Sequence, residues 1–511
     1  MTEPAMTGPA VTGPSRRRRL LILVICCMSL VIVGLDNTIV NVALPSIQRD
    51  LHASVSGLQW VVDAYTLVLA SLLVLSGSTA DRFGRRITFQ AGLATFTVGS
   101  LLCSLAPSLG WLVAFRMLQA VGGSMLNPVA MSIIVNTFTD RAERARAIGV
   151  WGAAVGVSLA LGPVVGGLLI ASVGWRGIFW VNIPVGVAAI VLTALFVPES
   201  KAPQARRFDP VGQVLVMITL AALVYGIIEG PGRGWTSPLI IGCFAVTIGA
   251  AVGFTLYERR RFQPLLDVRF FRSAPFSGAT LIAISAFAGL AGFLLLNTIY
   301  LQDVRGFSAL HAGLYMLPMA AMTAIWAPLS GRIVGSRGPR LPLIGAAVAI
   351  TVSAVMLTRL TSHTSTLDLV IAYLLFGIGF GLVNAPITNT AMAGMPRAQA
   401  GVAAAVASTS RQIGSSLGVA VIGSAVVSAL VGSLRLGFAT ASHVGWAIIA
   451  GCGVAVLILG FVTTGAWARR TAERVAAELQ PEPAGPAPAD RGPADPDPAG
   501  TEPKPVSDLP V

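Results

Sequence analysis

A succession of about fourteen apolar runs, each about twenty residues long, leaves this chain few ways to fold. The first covers Leu20 to about Ala43. The others centre near residues 68, 97, 123, 158, 188, 219, 247, 287, 321, 350, 379, 415 and 453. A twenty-residue helix rises about 30 Å, the thickness of a bilayer's hydrocarbon core. Inside that layer every backbone N–H and C=O must be paired within the protein, so open strands and exposed coil are excluded. Only 11% of the residues are charged, against about 25% in soluble domains. The expected fold class is an all-α polytopic membrane protein with fourteen spans.

The loops carry the second signal. Arg16–Arg19, Arg82/Arg85/Arg86, Arg141/Arg144/Arg146, Lys201/Arg206/Arg207, Arg259–Arg261 with Arg269 and Arg272, Arg332/Arg337/Arg340, Arg397 and Arg469/Arg470/Arg474 fall in alternate loops. The intervening loops hold Arg49, Arg176, Arg233, Arg305, Arg359 and Arg435, a bias of roughly four to one. Basic residues gather on the cytoplasmic side, so an even number of spans with both termini cytoplasmic is expected. The net charge of +13 is then a topology signal and not a nucleic-acid footprint. The run after Arg16–Arg19 lacks a small-residue cleavage site at its end and reads as a first span, not a signal peptide. The five cysteines lie in apolar runs without metal spacing and read as small hydrophobes.

An internal repeat divides the chain. Asp36-Asn37-Thr38-Ile39 returns as Leu296-Asn297-Thr298-Ile299, and Gly122…Asn127 as Gly379…Asn384. Gly77…Arg86 returns, degraded, as Gly331…Arg340. The common offset is near 257 residues. The expected organisation is a disordered N-terminus over 1–19, a six-helix bundle over 20–200 and two inserted helices over 201–270. A second six-helix bundle follows over 271–470, with a disordered tail over 471–511.

Few polar groups lie at membrane depth. Asp36 is well inside the first span, where a charge costs roughly 2.5–3.5 kcal/mol, so it must face a cavity or a partner. Arg116, in the fourth span at similar depth, is the expected partner, with Gln119 and Gly123 following on the same helix face. Asn41, Gln59, Tyr65, Gln119, Asn297, Tyr300 and Asn384 are candidate substrate contacts. Asp63 and Glu229 are candidates for a second proton site, with a solvated helix end as the alternative. Arg411, early in the thirteenth span, is expected to snorkel towards the surface.

The ordered pattern Gly77-x-x-x-Asp81-Arg82-x-Gly84-Arg85-Arg86 resembles the signature loop of the major facilitator superfamily. It reads as a charged turn between the runs Trp60–Ser76 and Ile87–Ala106. Arg116-Met117-Leu118-Gln119-Ala120 resembles the superfamily's fourth-helix motif, with Ala120 where Gly is usual. The stretch Gly152, Gly156, Gly162-Pro163-Val164-Val165-Gly166-Gly167 resembles the fifth-helix motif of drug exporters, and Trp175–Pro184 follows as it does there. With Leu35–Pro45 and Phe208–Gly212, these motifs resemble the fourteen-helix drug:proton antiporter family over about residues 16–470.

That resemblance implies proton-coupled export of amphipathic drugs by alternating access across a bacterial cytoplasmic membrane. It implies proton coupling at Asp36 and Arg116, and a conformational latch at Asp81 within its loop. Expected partners are amphipathic small molecules, protons and the bilayer, with the protein a monomer, no nucleic acid, no cofactor, no metal and no enzymatic activity. The chain has no phosphate loop of the GxxxxGK[ST] form, so ATP is not the expected energy source. A uniporter or importer of a small nutrient on the same scaffold is the alternative, and a sensor without transport the third.

Overall fold

The computed structural model describes residues 15–201, 209–261, 267–393 and 400–479. The first bundle contains α1 (Arg16–Leu51), α2 (Val55–Phe83), α3 (Arg85–Ser104), α4 (Leu109–Thr137), α5 (Arg141–Val173), α6 (Gly177–Trp180) and α7 (Asn182–Phe196). The inserted pair is α8 (Pro210–Arg233) and α9 (Pro238–Glu258). The second bundle contains α10 (Ala274–Ile299), α11 (Ala309–Tyr315), α12 (Leu317–Arg337), α13 (Arg340–Leu357), α14 (Thr366–Met392), α15 (Ala400–Ala429) and α16 (Leu434–Thr463). Last comes α17 (Ala466–Leu479). Among the described residues thirteen helical stretches are long and apolar enough to cross a membrane. A fourteenth rod, α5, is 33 residues long. The even number of crossings puts the start of α1 and the end of α16 at one end of the molecule, called here the terminal end.

The two bundles repeat one packing scheme. In the first, α1 packs on α5, α2 on α4, and α3 on α4 and α7. In the second, α10 packs on α15, α12 on α14, and α13 on α14 and α16. The inserted helix α8 leans on both bundles. Gln213 donates to the Ser71 carbonyl of α2, and Ser424 of α15 donates to the Ile227 carbonyl at 2.8 Å.

Hydrogen bonds from Gln59 and Gln302 join the two bundles towards the far end. Gln59 donates to the carbonyls of Val419 and Ala420 at 3.0 and 3.2 Å, and Gln302 donates to that of Val42 at 2.8 Å. Glycines allow the same approach elsewhere at that end. A side chain on Gly167 would strike the backbone of Leu310, and one on Gly313 the carbonyl of Pro163.

Three expectations change. The charged stretch Gly77–Arg86 is not a turn. It is helical except at Gly84, whose φ of +120° reverses the chain in one residue and favours glycine. The N-terminal boundary moves, because Ser15 caps α1 and Arg16–Arg19 form its first turn. The tail begins later than residue 471. Ala468, Ala472 and Val475 bury one face of α17, which packs on α10 and the short 3-10 turn Val268–Arg272. That spacing is a helical stripe and gives the segment something to bury. Residues 480–511 lie outside the described residues.

Candidate functional site

Asp36 and Arg116 form an ion pair sealed inside the first bundle, with side chains 0% and 1% exposed. A carboxylate there needs its lone pairs filled, and the neighbouring helices fill them. Asp36 Oδ2 accepts from Arg116 Nη1. Its Oδ1 accepts from Gln119 Nε2 at 2.8 Å and from Asn182 Nδ2 at 3.1 Å. Arg116 also donates to Gln119 Oε1 at 2.7 Å and to the Val61 carbonyl at 3.2 Å. Its guanidinium stands 4.1 Å over the Tyr65 ring, a cation–π contact strengthened by burial. Ser100 Oγ accepts from both Gln119 and Asn182, at 2.8 and 3.3 Å. Residues of α1, α2, α3, α4 and α7 thus converge on one charge pair.

Such a centre ties the charge of one carboxylate to the packing of several helices. The Asp36 carboxylate is the shared acceptor for Arg116, Gln119 and Asn182, so it anchors several helices at one point. Breaking such a buried pair from one side leaves an uncompensated charge and is strongly destabilising. The pair is closed on all sides, so a substrate does not reach between its members in this conformation.

Asp63 of α2 is fully buried at the seam between the bundles. Thr66 Oγ1 donates to its Oδ1 at 3.4 Å, and Ser416 of α15 faces the carboxylate across the seam. Its Oδ2 has no hydrogen-bond partner in ordinary range. Glu229 lies elsewhere, on α8 near the far end, accepting from Trp60 Nε1 at 3.0 Å and Arg233 Nε at 3.1 Å.

The remaining candidates scatter. Asn41 donates to the Asn37 carbonyl of its own helix, and Gln59 is used at the seam. Asn297 accepts from Tyr373 at 2.6 Å, and Tyr300 donates to the Thr361 carbonyl at 2.7 Å, so both serve the second bundle's interior. Asn384 is half-buried on α14. On α5, side chains at Gly162 and Gly166 would collide with Thr38 and Ile39 of α1. With Pro163 and Gly167 against α11, this stretch is a close-packing face. Gly156 belongs to the α5 positions whose side chains lie outside the description.

At the terminal end Asp81 accepts from Arg85 Nη2 at 2.9 Å, a contact within its own segment. Arg82 lies over Phe83, 5.7 Å from the ring centroid. Gly77 passes Pro128 at ordinary contact distance. Glu199, which the sequence did not single out, accepts from the backbone N–H groups of Arg86 and Ile87 at 3.1 and 3.2 Å. It fills the open N-terminus of α3, where a carboxylate suits the helix dipole. Ser100 and Asn182 were likewise missed as polar contacts; Asn182 lies inside the quoted run Trp175–Pro184.

Two repeated helical bundles, an inserted pair and a sealed charge centre define a membrane-spanning secondary transporter. The Major Facilitator Superfamily profile matches residues 26–419, and the chain belongs to that family. It is 38% identical over 420 residues to the multidrug resistance protein Stp of Mycobacterium tuberculosis, covering 82% of this chain and 78% of Stp. It is 35% identical over 422 residues to the tetracenomycin C resistance and export protein of Streptomyces glaucescens, again covering 82% and 78%. In fold it resembles a bacterial homologue of the lysosomal transporter Spinster solved in an inward-facing, unoccupied conformation. There the TM-score is 0.62 at 20% identity, over 92% of this chain and 100% of that one.

Proposed function

We propose that this protein is a proton-coupled antiporter that exports amphipathic drugs or antibiotics from a bacterial cell by alternating access. It sits in the cytoplasmic membrane as a monomer with both termini in the cytoplasm, so the far end faces outward. The sealed Asp36–Arg116 pair carries the reading, because a charge pair at membrane depth without a proton to carry is a costly way to pack a bundle. The relatives' names, resistance and export proteins, favour drugs as cargo. Asp63, buried at the moving seam with one oxygen free of donors, is the second proton site in this scheme. Glu229, already engaged by Arg233 and Trp60, is the weaker candidate. Asp81 is the latch that holds the terminal end shut in the opposite conformation. The cross-bundle hydrogen bonds of Gln59 and Gln302, towards the far end, fit an inward-facing state.

The test is export in proteoliposomes under an imposed pH gradient, with ethidium as cargo. Wild-type protein moves ethidium against its gradient, whereas Asp36→Asn folds, inserts and does not respond to the pH gradient. Full pH-driven export by Asp36→Asn overturns the proton assignment. Downhill flux that ignores pH in the wild type would point to a uniporter.

A further inference from the structure

Two arginines stand within the membrane-spanning helices of this fold, and they are treated in opposite ways. Arg116 is neutralised by Asp36 and shares its donors with Gln119 and Val61. Arg411 is the twelfth residue of α15, about 16 Å from the terminal end of that helix, and its side chain points back to a residue about 6 Å from the terminal end of α14. It donates one hydrogen bond, from Nη2 to Thr388 Oγ1 of α14 at 2.6 Å. Its Nε is buried without a partner. No described carboxylate forms an ion pair with it. A guanidinium has five N–H donors, so most of this one's capacity is unspent.

Its surroundings indicate where it faces. Ser408, Arg411, Gln412 and Ser415 are all half-buried and recur at i, i+3, i+4 and i+7, one stripe of α15. Asn384 and Thr388 form a half-buried polar stripe on α14 opposite. The large hydrophobic that α15 exposes, Val421, lies on a different face. Packing of α15 is chiefly on α10 and α2, and of α14 chiefly on α12 and α13, so the two helices meet only lightly and the stripes face each other along that divide. A polar stripe at this depth belongs on an aqueous interior and not on lipid.

We propose that Arg411 is a cargo-binding residue that takes the anionic group of the exported compound, so that amphipathic anions, carboxylates, sulfonates or phenolates attached to an apolar body, are the preferred cargo. The proposal rests on the export reading and deepens it. Thr388 is a positioning residue that holds the fork open towards the divide. Asn384 and Gln412 supply neutral hydrogen bonds beside it. The choice of anion has an energetic consequence. Moving one proton inward and one monoanion outward carries two positive charges inward, so the membrane potential adds to the pH gradient. For a monocation the same one-proton exchange is electrically silent, and a second proton at Asp63 adds one inward charge in either case.

A pair of probes of matched shape tests this: naphthalene-2-sulfonate and (2-naphthylmethyl)trimethylammonium. Binding is measured by calorimetry on the full-length protein in nanodiscs, and transport in proteoliposomes with a potassium–valinomycin potential. The wild type is expected to bind the sulfonate more tightly than the ammonium. Arg411→Gln loses about ten- to hundredfold in sulfonate affinity, the usual effect of removing a charge-assisted hydrogen bond, and leaves the ammonium unchanged or tighter. Arg411→Lys, which keeps the charge, retains most of the sulfonate affinity. An inside-positive potential imposed on right-side-out vesicles slows sulfonate export. If Arg411→Gln fails to fold, Thr388→Val serves instead and is expected to weaken the sulfonate alone.

Equal weakening of both probes, no change in either, a wild-type preference for the ammonium, or binding of neither probe overturns the proposal. The two readings separate cleanly. Arg411-dependent sulfonate binding without pH-driven transport removes the export reading and keeps the site. Driven transport of either probe with no effect of Arg411 does the reverse.

Discussion

Gly313 of α11 packs so closely on the Pro163 carbonyl of α5 that no side chain fits between them. This contact joins the two bundles at the far end, and Gly167 against Leu310 repeats it beside the first.

Gly313→Leu should therefore wedge the far end open. A reporter cysteine replacing Leu44 of α1, in a background lacking the native cysteines, would then label several-fold faster with a membrane-impermeant maleimide added from outside. Unchanged labelling with intact export would mean that the contact yields without consequence.

The Asp36–Arg116 centre predicts an asymmetric stability pattern. Arg116→Ala strands a buried carboxylate and should cost about 3–5 kcal/mol, read as a lower melting temperature in detergent. Adding Asp36→Asn to Arg116→Ala removes the stranded charge and should recover much of that loss. A double variant no more stable than Arg116→Ala would show that packing, not charge, dominates the site.

How much of this centre was legible in the sequence depends on the kind of residue. Asp36 and Arg116 stand out because a charge in an apolar run has no cheap place to go. Ser100 and Asn182 do not, because Ser and Asn occur throughout membrane helices and only tertiary packing aims these two at Asp36 Oδ1 and Gln119. Arg411 was visible: its place along α15 can be counted, whereas its turn towards Thr388 depends on how α14 lies. The repeat offset anticipated the matching helix packing of the bundles. The helix in α17 was hidden by polar composition, although its buried Ala468, Ala472 and Val475 already had helical spacing.

Asp81 pairs with Arg85 in this conformation, so its proposed latch role belongs to the other state. Asp81→Asn should favour the inward-facing form and slow ethidium turnover several-fold with little change in apparent affinity; about 1 kcal/mol of bias suffices for that. The Leu44→Cys reporter checks it, with slower labelling from outside expected. Labelling at the wild-type rate would reduce the segment to a topology signal.

Gly84 allows a sharper local test. Its φ of +120° and the Glu199 carboxylate beside it leave no place for a Cβ. Gly84→Ala should destabilise the protein by about 1–3 kcal/mol, and Glu199→Ala by about 1 kcal/mol through loss of the α3 cap. In the double variant the two losses should fall short of their sum, because removing Glu199 makes room for the new methyl group. Strict additivity in thermal melts would argue against their contact.

Asp63 predicts an electrical signature. With a second proton there, export of a monocation becomes sensitive to membrane potential at a fixed pH gradient, worth about 2.3 kcal/mol per charge per 100 mV. Asp63→Asn should abolish that sensitivity and leave pH-driven exchange. Potential-independent export by the wild type would assign Asp63 to structure alone.

The inserted helix α8 changes the mechanics of the two-bundle design. It is tied to α2 through Gln213 and Ser71, and to α15 through Ile227 and Ser424. A twofold-related pair of bundles has two equivalent flanks, but here one flank is strapped and the other bare. Rocking must either stretch those two hydrogen bonds or turn about an axle that runs beside them. If the bundles rock as proposed, the stroke is expected to be lopsided, small along the strapped flank and widest on the α5 side.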